Sequence, residues 1–249
     1  MPSYSFAPAT EPKLTNPTDV QGAIRGLTVG KAPGPDGIPN RALKHFPLSI
    51  VSLLVVLFNV IFRKQYFPAA WKHARVFSIL KPGEDPALSS SYPPTSVLET
   101  IGKLFYKIIL SRILYEVSGY GLLHDEQFEF RPKHSTALQL ALLVERVSRN
   151  FDEKKLTGAV FLNVAKDFDN VCVDGLLYKL KILNFSSYFV KTIPSYLHSR
   201  TFEASFQTAT STIHRIRAGL PQGGIISPVL FSLYVNDMPS PSRHVEFAL

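Results

Sequence analysis

Cysteine is nearly absent from this 249-residue sequence: Cys172 stands alone. A single thiol excludes a disulfide framework and a cysteine-rich zinc site, and it fits a reducing compartment. Long apolar runs are missing too. The most apolar stretch, residues 50–62, is broken by Ser52 and Asn59. It falls short of the roughly 20 residues that span a bilayer, so it reads as a core helix and predicts no membrane partner. The first residues, MPSYSFAPATEPK, are polar and proline-rich, so no secretory signal is visible, and no basic targeting run stands out either. Neither an internal repeat nor a low-complexity tract appears. Charged residues are only 18%, but hydrophobic residues are 45%, which excludes a disordered chain. The net charge of +8 suits solubility and suits a polyanion such as nucleic acid equally well.

What is present alternates between helix signals and shaped loops. Residues 1–15 read as a linker without periodicity. Asn16-Pro17 is a helix start, and Val20, Ile24 and Leu27 share one face of that helix up to Gly30. KAPGPDGIP, residues 31–39, holds too much Gly and Pro for helix or strand. It is a plain connector, or a loop whose backbone lies close to a ligand. A helix over residues 48–63 is followed by a strand over 71–80 that runs into Lys81-Pro82-Gly83. Residues 101–117 form an amphipathic helix, and Ser135 caps another that reaches about Asn150.

The chain turns on residues 157–171, TGAVFLNVAKDFDNV. Ala159 to Leu162 has strand character and predicts a buried strand ending in a charged loop, where an α/β crevice usually opens. Asp174 caps a helix to about Leu183, and another covers residues 187–198 with Pro194 inside it, a site of kinking or ending. Residues 201–208 and 212–217 read as a hairpin. Gly219 to Gly224 is a glycine-rich loop, Ser227-Pro228 starts a helix to Asn236, and residues 245–249 begin a strand. Helices dominate the first half and mixed elements the second, which defines an α+β fold.

Six stretches, in order, carry a resemblance. They are KAPGPDGIP (31–39), ARVFSILKPGEDP (74–86), SYPPTSVLETIGKLFYKII (91–109), DEQFEFRPKHST (125–136), FLNVAKDFDNV (161–171) and AGLPQGGIISPVLFSLYVNDMP (218–239). Together they resemble the reverse transcriptase domain of non-LTR retrotransposons of the jockey-like group, over residues from about 17 to 249. The resemblance implies a right-hand polymerase with a helical, fingers-like region at 16–150 and a partial palm at 151–249, without a thumb. It implies an RNA-directed DNA polymerase, a nucleotidyltransferase that extends a primer 3′-OH on an RNA template. It implies Mg²⁺ as cofactor, in the two-ion arrangement used for in-line phosphoryl displacement. RNA template and DNA primer are then the expected partners, and nuclear DNA the place of work.

The same resemblance assigns residues. Lys81 faces the incoming triphosphate. Phe168 matches the bulky residue under the sugar that rejects a 2′-OH, and Val164 offers a backbone carbonyl near a metal. Gln222 and Gly223 match the loop against the templating base and nucleotide. Lys31 and Arg131 sit near template or primer phosphates.

Four departures from the family pattern stand beside these matches. Asn163 occupies the position of a metal-binding Asp, and a neutral amide cannot supply the charge that holds a hard dication between phosphates. Pro93 replaces an Arg that clamps the triphosphate, and Glu129 replaces a Gly. The sequence runs to Ala248-Leu249, where the family's YADD turn would supply two more carboxylates; Asp167 and Asp169 are the nearby acids. The expectation is therefore a metal site that is not intact and a catalytically inactive copy. The alternatives are a non-catalytic module that binds RNA or hybrid duplex, and an unstable pseudogene product.

Overall fold

A computed structural model describes residues 11–31, 33–88, 91–92, 94–125, 127–128, 131, 134–162, 164, 167–206, 209–221, 223–238 and 245. The first helix, α1 (Pro17–Arg25), starts as its sequence dictates. The Asn16 side chain accepts from the Asp19 N–H at 2.9 Å while Asp19 accepts from the Asn16 N–H at 3.1 Å, which satisfies two end groups reciprocally. It stops at Gly26, short of the expected Gly30. Thr15, inside the expected linker, is buried and receives the Arg112 guanidinium at 2.9 Å. Helices α2 (Asn40–Lys44) and α3 (Leu48–Lys64) follow, then a 3-10 turn (Ala69–Lys72), β1 (His73–Ser78), β2 (Pro94–Val97) and α4 (Thr100–Gly119). Ser135 caps α5 (Thr136–Asp152) through the Leu138 N–H. The remainder is α6 (Val173–Ile182), α7 (Ser187–Leu197), β3 (Arg200–Phe206), β4 (Ala209–Thr210), β5 (His214–Ile216) and α8 (Ser227–Val235). Helix and sheet are mixed, as the α+β reading requires.

The core is an aromatic cluster shared by four segments. Phe58 and Phe62 of α3, Phe67 and Trp71 around the 3-10 turn, Phe105 and Tyr106 of α4, and Tyr196 of α7 all meet there. Phe67 stacks on Tyr106 at 5.2 Å between centroids and meets Tyr196 at the same distance. Buried tyrosines need a partner for their hydroxyls; that of Tyr106 donates to the Trp71 carbonyl at 2.6 Å. Burial pushes the Tyr106 and Tyr196 phenols well above their usual range, so both stay neutral. Gly102 lets Trp71 lie against α4, since a Cβ there would stand 3.0 Å from the indole.

The sheet joins the two halves of the chain. β1 pairs antiparallel with β2 and parallel with β3, from His73 opposite Thr201 to Phe77 opposite Ser205. Arg75 Nε donates to Glu203 at 2.5 Å across that ladder and holds the Glu203 carboxyl below its usual range. β5 returns antiparallel to β3, which forms the expected hairpin, with the short β4 paired at the far end of β3.

One expectation is corrected. Ala159 to Leu162 forms no strand and no core: Val160 is 85% and Phe161 84% exposed. The reason lies in what a strand requires. Its N–H and C=O groups must find a ladder, and its apolar face a cover. Among the described residues, the five strands pair with one another and none lies beside this segment. Helix α5, just before it, contributes no buried residue either; Leu140, Val144, Val147 and Phe151 are exposed. Of the expected strand at 245–249, only Val245 is described, exposed and outside any strand. Among the described residues no helix is long and apolar enough to cross a membrane.

A sharp contrast follows for urea unfolding. Phe161→Ala should change stability by less than about 0.5 kcal/mol, as exposed positions do. Phe105→Ala, at a fully buried ring, should cost about 3–5 kcal/mol. Comparable losses would restore the buried strand.

Candidate functional site

Two stretches far apart in sequence are clamped together by backbone. The Leu220 N–H donates to the Phe168 carbonyl at 2.8 Å, and the Gly219 N–H to that of Val171 at 3.3 Å. The turn at 167–170 is thereby fixed against the glycine-rich loop. Gly219 has φ +81°, and a Cβ on it would stand 2.7 Å from the Asp169 Cα and carbonyl oxygen. Both facts demand glycine. Gly223, also at positive φ, faces the Ser96 backbone of β2 at 3.7 Å from where its Cβ would be, so the loop bridges the turn and the sheet.

Helix α8 gathers the surrounding pieces. The Phe168 ring stacks on Phe231 at 4.9 Å and 25°. Ser227 Oγ donates to the Pro221 carbonyl at 2.7 Å and fixes the loop to the start of the helix. Gln127 is buried, and its amide donates to the Ser232 carbonyl at 2.9 Å. Asn236 accepts from the His124 N–H at 3.0 Å and donates to the Leu122 carbonyl at 2.7 Å. Three of the six resemblance stretches therefore converge on one helix.

The expected site residues are placed unevenly. Phe168 and Gly223 lie at this junction. Val164 is exposed, five residues before Asp169. Lys81 sits on a turn after β1, exposed, with its ammonium 3.3 Å from Glu84. Arg131 is held in its own loop, donating to the His124 carbonyl at 3.0 Å and to Asp125 at 3.3 Å. Lys31 is exposed. No described contact joins Lys31, Lys81 or Arg131 to the junction. Asn163, Gln222, Pro93 and Glu129 lie outside the described residues.

The loop at 31–39 gains a role that sequence reading left open. Asp36 accepts from the Thr100 N–H at 2.6 Å, the Thr100 hydroxyl at 3.0 Å, the Ile38 N–H at 3.2 Å and the Ile101 N–H at 3.4 Å. It caps α4 from 64 residues away. Gly34 permits the approach, since a Cβ there would stand 2.4 Å from the Leu98 carbonyl oxygen. Burial, and then the charge of Asp36, raise the Glu99 carboxyl above its usual range. Gln127 and Asp36 were both missed as anchors. Their partners are remote, and no local signal marks them.

The family's metal is tested by its donors. Asp167 spends one oxygen on the Phe168 N–H at 2.9 Å. Among the described residues, no three of His, Cys, Asp or Glu converge. Position 163 carries an amide. An amide at that position brings no carboxylate charge to a magnesium ion, and no chemical step is derived through a metal.

A turn and a glycine loop thus dock on one helix, beside a mixed sheet. Residues 79–248 match the family described as "Reverse transcriptase (RNA-dependent DNA polymerase)". The chain belongs to the reverse transcriptase family. It is 38% identical over 225 residues, 90% of its length, to the probable RNA-directed DNA polymerase from transposon X-element of Drosophila melanogaster. It is 36% identical over 222 residues, 89% of its length, to the polymerase from transposon BS and to that from mobile element jockey of the same fly. These are retrotransposon polymerases of the non-LTR kind, as the sequence motifs predict. The chain covers 24–25% of each, about a quarter of the length of these curated relatives.

Gly219→Ala should cost about 1–3 kcal/mol of stability by urea unfolding, from positive φ and a backbone collision. Asp36→Ala should cost about 1–2 kcal/mol through the lost cap. Gly22→Ala, where a Cβ meets nothing within 4 Å, should cost nothing. Equal effects at Gly22 and Gly219 would remove the clamp from the argument.

Proposed function

We propose that this chain is the fingers-like region (16–150) and part of the palm (151–249) of a non-LTR retrotransposon reverse transcriptase. In this reading it holds RNA template and DNA primer but does not itself catalyse nucleotide addition. The relatives support the class, since each is named an RNA-directed DNA polymerase. The junction between the 167–170 turn and the glycine loop supports the placement of the nucleotide there, with Phe168 under the sugar and Gln222 and Gly223 against the base. Lys81 would then swing from Glu84 to the triphosphate. The pair it gives up is exposed and worth at most about 1 kcal/mol.

Asn163 carries the loss of catalysis. An amide in place of a metal-binding carboxylate removes a preorganised electrostatic group, and one such group is worth at least ~10²-fold in rate. Asp167 is a poor substitute, because one of its oxygens already accepts the Phe168 N–H at 2.9 Å. A second reading, an unstable product, draws on the exposed apolar residues of α5 and of 156–162, a surface that favours association.

A primer-extension assay tests the proposal. With an annealed RNA template and DNA primer, magnesium or manganese and deoxynucleotides, incorporation should stay at background. Extension above background that is lost in Asp167→Asn would overturn it. A soluble chain with one cooperative unfolding transition would dismiss the second reading.

A further inference from the structure

Four lysines from three segments converge where α1, α2 and α4 meet. Lys103 and Lys107 are one helical turn apart on α4, so they share a face. The Gly26 carbonyl, just past the end of α1, accepts from Lys107 Nζ at 2.6 Å. Five residues on is Lys31, and the turn before it is tied to the start of α2 by the Asn40 amide on the Thr28 carbonyl at 2.8 Å. Lys44 ends α2. None of the four forms an ion pair with a described residue. Asp36, the nearest acid to Lys103 along with Glu99, is committed to four donors at the cap of α4.

The lysines feel one another. Burial lowers the Lys107 ammonium below its usual range, and the charges of Lys31 and Lys44 add to this. Burial also lowers Lys103, and Lys31 opposes it while Asp36 and Glu99 favour it. A fold that gathers like charges without an ion pair to a described acid offers a site for an anion with several charges. The face also adjoins the junction. Gly223 lies against Ser96, and Leu98, two residues on, lies against Gly34 in the loop whose Asp36 caps the helix of Lys103.

We propose that Lys31, Lys44, Lys103 and Lys107 form a phosphate-binding face that grips the backbone of an RNA strand leading to the junction. The proposal rests on the reverse transcriptase reading above and adds Lys44, Lys103 and Lys107 to the expected Lys31. The face reads phosphate spacing and not base sequence.

The test is a titration of the chain against a labelled 20-nucleotide RNA at several salt concentrations. Each phosphate contact to a single strand contributes about 0.7 to the slope of log affinity against log salt. Replacing all four lysines by Gln should flatten the slope by about 3. A control removes four cations elsewhere: Lys13, beside Tyr115 at the far end of α4, Arg63 and Lys64 at the end of α3, and Lys191 on α7. It should flatten the slope by less than about 1 on the same scale. Lys107→Arg, which keeps the charge and alters the bond to Gly26, should leave the slope unchanged, and unaltered urea midpoints show that the variants fold. Equal flattening in both quadruple variants, or a loss seen with a DNA 20-mer but not with RNA, would overturn the face. If the unmodified chain binds no RNA at low salt, the functional reading itself fails. If it binds with a steep slope that the four substitutions leave intact, only the lysine face fails.

Discussion

A parallel ladder between residues 73–77 and 201–205 holds the two halves of this chain together. Parallel strands cannot be joined by a tight turn, so the chain must leave β1, run through β2 and four helices, and come back. Closing a loop whose ends are 128 residues apart costs about 4 kcal/mol in chain entropy. The Arg75–Glu203 pair lies at the surface and contributes little against that. The aromatic cluster offsets it. Phe67, shortly before β1, packs on Tyr106 of the crossover and on Tyr196, just before β3, while Trp71 packs on Phe105. The rings that close the core therefore also align the two strands. Phe67 adds a backbone bond, its N–H donating to Ser195 Oγ at 2.8 Å.

Much of this was legible in the sequence, and the legible part is local. Asn16-Pro17 and Ser135 announce helix starts because a cap and its partner lie within four residues, and Ser227-Pro228 does so because proline suits the first turn. The hairpin of β3 and β5 is legible for the same reason. The parallel ladder, the capping of α4 by Asp36 and the bond from Gln127 to α8 were not. Each joins residues 64 to 128 apart, and neither partner bears a mark of the other. The misread strand at 159–162 fails in a related way. A run of Ala, Val, Phe and Leu shows that a segment can serve as a strand. It does not show that a neighbour exists, and here no described strand pairs with it.

The candidate site was legible in part because its motifs are read as wholes. The pairing of residues 161–171 with 218–239 emerges from the resemblance, and the structure explains it through two backbone bonds, a glycine and a ring stack. The positions of Lys81 and Arg131 were not legible. Both are long cations that pair with an acid of their own loop, Glu84 and Asp125. A basic side chain can keep its place in a motif and still rest elsewhere.

The forces that build the junction are separate from those that would make it catalytic. Gly219, the Phe168–Phe231 stack and the Ser227 bond act without charge. A cluster of metal-binding carboxylates opposes folding when no metal is bound, because like charges repel and ionised groups resist burial. Exchanging one such carboxylate for an amide relieves that opposition. Folding therefore exerts no pressure to keep the acid. Only the polymerase reaction does. A chain released from that reaction can lose its carboxylate first and hold its glycines, aromatics and lysines longer.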